Sequence, residues 1–368
     1  MHADIPAQPS PWLARDVEND RSWVLRLTAD EIHGIDTALA HAKKTAKPLL
    51  DMTPGDFPLS EAARNKLASA VRATQTRWGF CLLKGFPVDR WSEEDTRLAY
   101  WGMGLHMGVA RPQNRNSDIL NDVRDAGGTY RDKGGRGYNT NASLDFHIDF
   151  GDVVALLCRR TAKSGGRSLI ASSRAIHDEV VRTHPELRDT LLQPFHFSWQ
   201  GAMGQHDAPY YQCSLAGTRD GHFAFRSNRK NIVAAQRDFS DVPRLSDAQV
   251  ALLDLLDTLY PDPRFCYAMQ LDAGDMQLLN NYVTIHSRTH FEDHELPDRK
   301  RHLLRLWLGI PACQPLPAGW GEPYKSTNAN TVRGGLRGQA ITSAFLDFEA
   351  RMASHHGMDN HYYEASPR

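Results

Sequence analysis

Nothing in the sequence offers a framework for disulfides or for a thiolate metal site. Its five cysteines, Cys81, Cys158, Cys213, Cys266 and Cys313, are scattered, odd in number and form no C-x-x-C pair. They read as reduced, mostly buried thiols, which favours a cytoplasmic protein. A long apolar run is also missing: no stretch approaches the ~18 residues that span a bilayer. Met1 to Pro11, with Asp4, Pro6 and Pro9, lacks the basic-then-apolar order of a secretory signal. An excess of one charge is missing too. The 43 Lys and Arg against 44 Asp and Glu give a formal net charge of -1, so phosphate backbones and anionic lipid exert no general pull. Neither nucleic acid nor membrane is expected as a partner. There is no internal repeat and no low-complexity linker. The Gly-rich Gly134 to Gly137 is neither G-x-G-x-x-G nor a P-loop, and no strand–loop–helix unit frames it, so nucleotide binding is set aside.

What is present is an ordinary soluble-enzyme composition over 368 residues, with 41% hydrophobic and 24% charged residues. Length alone allows two domains. The pattern reads as one domain over 1–368, with a core at about 80–311, an N-terminal helical region at about 20–79 and a C-terminal extension at about 312–368. Ser60 to Trp78 is amphipathic at helical spacing, through Ala63, Leu67, Ala70 and Val71. Ser92-Glu93-Glu94-Asp95 opens a helix that ends near Gly104 or Gly108, and Ser246 to Gln249 is a capping box before Val250 to Tyr260. A further helix covers Ser173 to Gln193, broken near Pro185, and another lies near Phe345 to Met352. Phe80 to Leu83, Ser143 to Phe150, Val153 to Cys158, Ser168 to Ala171, Phe195 to Gln200, His222 to Phe225, Phe265 to Leu271, Asp275 to Leu279 and Leu303 to Ile310 read as strands. Many short strands behind a helical front give a mainly β fold with flanking helices, an antiparallel barrel or jelly roll.

The 17 histidines exceed what structure usually needs, so the search for chemistry starts there. In Leu144 to Phe150 the order His147-Ile148-Asp149 puts an imidazole and a carboxylate on one face of a strand. Two such groups and one further histidine make the facial triad that leaves positions open on a non-haem Fe(II). By itself the pair is a weak signal, and a surface histidine with a hydrogen-bonded aspartate fits it better. A second segment, Asn280 to Asp293, carries His286 and leads into Arg299 to Leu308 with Arg301 and Arg305. A late histidine followed by a strand bearing arginines is what a buried oxo-acid carboxylate requires, since the guanidinium offers a fixed fork. The same arginines also fit a basic strand end pairing with Glu292, Asp293 or Glu295.

With these residues in view, the segment from about Phe80 to Pro311 resembles the taurine dioxygenase (TauD/TfdA) family of Fe(II)- and 2-oxoglutarate-dependent oxygenases, in the clavaminate synthase-like group. Four motifs carry the resemblance, in the family's order. They are His147-Ile148-Asp149, Gly165-Gly166-Arg167-Ser168-Leu169, His286 within Asn281 to Phe291, and Arg301-His302-Leu303-Leu304-Arg305. The resemblance implies a double-stranded β-helix (jelly-roll) core and Fe(II), 2-oxoglutarate and O2 as cofactor and co-substrates. It implies His147, Asp149 and His286 as catalytic iron ligands. Arg301, fifteen residues after His286, is implied as the clamp on the 2-oxoglutarate C5 carboxylate. Ser168 stands where the family usually has a threonine bonding that carboxylate. Arg305 matches an arginine that serves either the co-substrate or an anionic substrate. His290, His294 and His302 read as loop or supporting residues, and His355, His356 and His361 as solvated tail residues.

The implied reaction hydroxylates an aliphatic C–H of a small carboxylate-bearing or amino-acid-like molecule, releasing succinate and CO2. Desaturation or ring formation in a biosynthetic pathway uses the same triad. Asp149 disfavours halogenation, which in related enzymes needs a small residue there. The Arg111 to Asn141 loop and the His196 to Phe225 insertion are expected to form the substrate pocket, with Gly127 to Gly137 as its lid. Tyr130, Asn139 and Asn141 are candidate hydrogen-bonding groups, Arg226 a candidate anion anchor, and Trp199, Tyr210, Tyr211 and Phe223 candidate walls; packing is the competing role for each. A homo-oligomer is compatible with the sequence. From other classes, a metal-dependent hydrolase or an inert jelly-roll binding protein competes with this reading.

Overall fold

The computed structural model describes residues 8–130, 132, 134–204, 207–336 and 341–360. A large sheet runs in the order Val24–Arg26, Phe80–Lys84, Asp275–Asn280, Val153–Arg160, His302–Gly309 and Val109–Arg111, with Asn121–Val123 also on His302–Gly309. Only Val24–Arg26 and Phe80–Lys84 run parallel among the described pairs in it. Its central strands are covered on both sides, which is why Val153 to Leu157 and Leu303 to Leu308 read as almost unbroken apolar runs. The period of two still sorts their side chains. Leu304, Leu306 and Leu308 join an outer core with Leu67 of helix Glu61–Thr74, Met103 of helix Glu93–Met107 and Phe348 of helix Ser343–His356. Leu303, Arg305 and Trp307 face the other way, into a cavity between the sheets.

A smaller antiparallel sheet faces the large one, with Ser168–Ser172 between Tyr267–Met269 and Thr284–Arg288. Two facing antiparallel sheets make the jelly-roll core. The stretch Ser143 to Phe150, expected as a strand, pairs only at His147, whose N–H and carbonyl exchange hydrogen bonds with His286 at 2.9 and 3.1 Å. Its neighbours are held instead by loop bonds, such as Leu144 N–H to the Arg288 carbonyl and Ile148 N–H to the Ser227 carbonyl, both at 3.0 Å.

The helices follow their caps. Ser60, Ser92 and Ser246 each accept from a backbone N–H three residues on, and Gln249 closes the capping box on Ser246. Helix Ala29–Thr45, within the helical region expected at about 20–79 though not bounded there, carries the same device in Thr28 and Glu31. The expected Ser173 to Gln193 helix stops at Thr183, where Pro185 begins a short 3₁₀ turn. The Glu93–Met107 helix lies very close to its neighbours. A Cβ at Gly102 would fall 2.2 Å from the Phe57 ring, and one at Gly104 2.7 Å from Leu306 Cδ1.

Two buried ion pairs fasten the C-terminal extension. Arg111 bonds to Glu349 of the last helix and to the Gly334 carbonyl. Arg333 donates to Asp152 Oδ1 at 2.9 Å. The extension is thus packed rather than loose, and His356 is part of it. Its Nε2 lies 2.9 Å from the Leu105 carbonyl, so the expectation of a solvated side chain is corrected. His355 is exposed, and His361 lies outside the described residues.

Candidate active site

His147, Asp149 and His286 meet at the edge of the small sheet, each offering one donor atom within 4.8 Å of the others. The cross-strand pairing of His147 with His286 sets two imidazoles side by side, their ring centres 4.5 Å apart. His147 Nδ1 lies 2.8 Å from the Asp145 carbonyl. A carbonyl only accepts, so Nδ1 carries the hydrogen and the Nε2 lone pair turns toward Asp149, 3.9 Å from Oδ1. His286 Nε2 stands 3.7 Å from Asp149 Oδ2. Burial, aided by His147, pushes the His286 imidazole down to about 3, so it is neutral at ordinary pH.

Asp149 is buried, which works against its charge. Arg305, His286 and His147 outweigh that cost and, with the Trp307 N–H at 2.9 Å, hold the carboxyl below its ordinary value. Two imidazoles and one ionised carboxylate, gathered on the wall of a cavity, are a donor set suited to Fe(II) with open positions. His286 Nδ1 is buried without a partner. A second cluster, Glu93, Asp122 and His302, has no such fit. Arg159 and Arg97 already neutralise its carboxylates at 2.9 and 2.6 Å, and His302 bonds Asp122 at 2.7 Å.

Arg301 and Ser168 line the same cavity. The Arg301 guanidinium is 4.9 Å from the centre of the Phe291 ring, and its side chain makes no hydrogen bond to any described residue; Nη1 is fully buried. Burial pulls its pKa down, opposed by Cys158 and Asp293. The Ser168 hydroxyl donates to Gln277 Oε1 at 3.0 Å. Arg305 sits on the Asp149 side, with Nε on Gln113 Oε1 at 2.7 Å and Nη1 3.5 Å from Asp149 Oδ2.

Of the expected substrate residues, Tyr130 lines the cavity and its hydroxyl accepts from Asp145 N–H at 3.2 Å. Arg226 lines it too, yet its guanidinium donates to the Tyr211 and Tyr324 hydroxyls and lies 3.7 Å from the centre of the Phe150 ring. Asn139 and Asn141 are not brought to the cavity wall. They brace the loop behind it: the Asn139 carbonyl accepts from Ala126 and Gly128, and that of Asn141 from Phe291. Trp199 is a wall, and Tyr211 is buried beneath Arg226. Tyr210 instead donates to Asp241 at 2.6 Å.

Sequence reasoning passed over Gln113, Arg136, Arg288 and Trp307, all of which line the cavity. Trp307 was within reach, since it alternates with Arg305 on one strand face. Arg288 stands two after His286, and its Nη2 ties down the Thr140 carbonyl at 2.8 Å and that of Ala142. Burial and Arg301 push the Arg288 pKa down to about 9.

The chain is similar to several known proteins. FR-33289 synthase of Streptomyces rubellomurinus (strain ATCC 31215) is 28% identical over 337 residues, covering 90% of this chain and 95% of that protein. The uridine-5'-phosphate dioxygenase of an Amycolatopsis species is 26% identical over 176 residues, 46% of this chain and 62% of that one. Among solved structures, asparagine oxygenase in complex with Fe(II), 2S,3S-3-hydroxyasparagine and succinate superposes with a TM-score of 0.56 at 16% identity. That match covers 78% of this chain and 93% of the other, and it shows the shared fold. A model of the taurine catabolism dioxygenase TauD, TfdA family matches residues 45–307. That match spans the small sheet, most of the large one and the whole triad, so the chain belongs to the TauD/TfdA family of dioxygenases, which work with Fe(II), 2-oxoglutarate and O2.

Proposed function

We propose that this dioxygenase hydroxylates an aliphatic C–H bond of a small acid-bearing molecule, with His147, Asp149 and His286 holding Fe(II) and Arg301 with Ser168 holding 2-oxoglutarate. The observation that carries the reading is the buried Arg301 guanidinium, which meets no hydrogen-bond acceptor among the described residues and shares a cavity with the triad. A desolvated charge in that state is costly unless a ligand supplies the partner. A dicarboxylic oxo acid does so at one end while its other end reaches the metal.

When bound, Fe(II) supplies the O2 activation that turns 2-oxoglutarate into succinate and CO2 and oxidises the substrate C–H. The chain does the rest. Asp145 fixes the His147 tautomer through its carbonyl, and Trp307 and Arg305 orient Asp149. Arg301 fixes the co-substrate's direction. Trp199, Tyr138 and Leu144 wall off water on the substrate side. That asparagine oxygenase holds a hydroxylated amino acid, and that a relative is named for uridine 5'-phosphate, supports a small acid-bearing substrate. A relative named as a synthase supports use in a biosynthetic pathway.

The test is anaerobic visible absorption on adding Fe(II) and then 2-oxoglutarate, with His147→Ala as control. A weak charge-transfer band that needs both additions and vanishes in the variant is expected. Bound Fe(II) indifferent to 2-oxoglutarate would overturn the reading.

A further inference from the structure

The charges around the cavity narrow the substrate beyond an acid-bearing molecule, and this step rests on the oxygenase reading above. Among the described residues lining it are Arg136, Arg226, Arg288, Arg301, Arg305 and Lys230, against a single carboxylate, Asp149. Several of these cations are committed. Arg226 is turned into its tyrosine hydroxyls, and Lys230 lies against the Gly135 carbonyl and 4.4 Å from the centre of the Tyr130 ring. Arg288 is tied to the Thr140–Ala142 loop. Arg301 answers to 2-oxoglutarate, and Asp149 to the metal.

What is left is an imbalance on the substrate side. Arg136 comes from the Gly-rich loop and lines the cavity, half buried. To the described residues its guanidinium makes one hydrogen bond, Nη2 to the Gln200 carbonyl at 3.2 Å. Arg115 and Arg305, both cations, are near it, and burial with these two, opposed by Tyr138, drives its pKa down. Arg305 gives Nε to the neutral Gln113 Oε1 at 2.7 Å, and its contact with an anion is the long 3.5 Å one to Asp149. Two guanidinium groups therefore face the substrate space without a dedicated anion between them.

An α-amino acid is a poor match. Its ammonium would enter a cavity with no carboxylate to receive it, since Asp149 is committed to the triad, and it would meet cations instead. A monocarboxylate pairs with one guanidinium and leaves the other uncompensated. A tetrahedral dianion presents three oxygens and can accept forked hydrogen bonds from two guanidiniums at once. We infer that the substrate carries a phosphoryl group, as a phosphonate or a phosphate monoester, seated between Arg136 and Arg305, and that it lacks a free α-ammonium group near the reacting carbon.

The test is anaerobic calorimetry on the full chain loaded with Fe(II) and 2-oxoglutarate, using probes of one carbon skeleton: propylphosphonate, propyl phosphate, propanesulfonate, butyrate and norvaline. The two dianions are expected to bind at least about tenfold more tightly than the sulfonate and carboxylate, with norvaline weakest. Either dianion supports the inference, and the tighter one tells which linkage the site takes. Arg136→Gln should cost the dianions about tenfold while 2-oxoglutarate affinity and its absorption band stay unchanged, and Arg136→Lys should recover part of the loss. Norvaline or butyrate binding as tightly as the dianions, or dianion affinity indifferent to Arg136→Gln, would overturn it. Absence of the 2-oxoglutarate band in the wild-type protein is a different failure, which removes the oxygenase reading and this inference with it.

Discussion

Arg288 and Arg301 pack on the same phenylalanine, their guanidiniums 4.8 and 4.9 Å from the Phe291 ring centre, yet they are held differently. Arg288 is anchored by backbone carbonyls, whereas no hydrogen bond from a described residue anchors the Arg301 side chain. A buried charge kept without a protein partner opposes stability, so it persists for what it binds. Arg301→Met should therefore separate two properties. The dissociation constant for 2-oxoglutarate should rise roughly ten- to a hundredfold, the weight of a charge-assisted hydrogen bond of about 1.5–3 kcal/mol. The melting temperature without ligands should stay level or rise. A parallel loss of melting temperature and affinity would make Arg301 a structural residue. Trp307 argues the same way for the metal. Its indole N–H is a direct hydrogen bond to Asp149, and Trp307→Phe keeps the packing while removing that donor. Iron affinity, read by competition with a chromophoric chelator, should fall about ten- to a hundredfold, the usual weight of such an outer partner.

At the scale of elements, the Glu93–Met107 helix shows how much depends on one missing atom. The Cβ that Gly102→Ala adds would overlap the ring of Phe57, which is itself fully buried. The helix would have to lift or the ring turn, at about 1–3 kcal/mol. A melting temperature lowered by several degrees with an unchanged 2-oxoglutarate band is the expected result; an unchanged melt would show that the ring has room to move. Such close approaches were not legible in the sequence, where Gly104 and Gly108 suggested only a helix end and Gly102 suggested nothing. The end itself was legible, and it falls at Gly108. So were the strands of the large sheet, because Val153 to Leu157 and Leu303 to Leu308 carry β-branched and aliphatic runs of the right length. The spacing of His147 and Asp149 suggested a strand. One cross-strand rung and loop bonds bring the two side chains together instead, and only the tertiary partner His286 reveals that. Asn139 and Asn141 looked like ligand groups because polar side chains in a long loop cannot be told from loop-bracing ones until the backbone is placed. Arg136 was missed for the converse reason, a charged residue among glycines that reads as solvated until the loop folds over the cavity.

At the scale of the whole molecule, the question is what joins the C-terminal helix to the helical layer on the large sheet, and histidines give part of the answer. His356 packs against the Leu105 carbonyl and His106 against the Phe57 carbonyl, each with Nε2 at 2.9 or 2.8 Å. Burial, with His355 and His106 nearby, pushes His356 from its ordinary 6.5 down to about 4. Burial lowers His106 as well, with His355 and Arg64 adding to the effect. The unfolded chain thus takes up protons near pH 6.5, before the folded protein does. Between that value and the folded pKa the unfolded state binds more protons, so stability falls as pH falls across the window and is level above it. Each such group contributes a slope of up to about 1.4 kcal/mol per pH unit. Carboxylates held low, such as Asp149 and Asp122, act only below about pH 4, where their unfolded forms begin to protonate. The melting temperature should therefore drop between pH 7 and pH 5. His356→Gln keeps a donor for the Leu105 carbonyl but cannot titrate, and it should flatten the drop in proportion to one proton. A melt that is level from pH 7 to pH 5 would remove both histidines from the account. A drop that survives His356→Gln in full would place its source in the other histidines held low, among them His106 in the last turn of the Glu93–Met107 helix and His286.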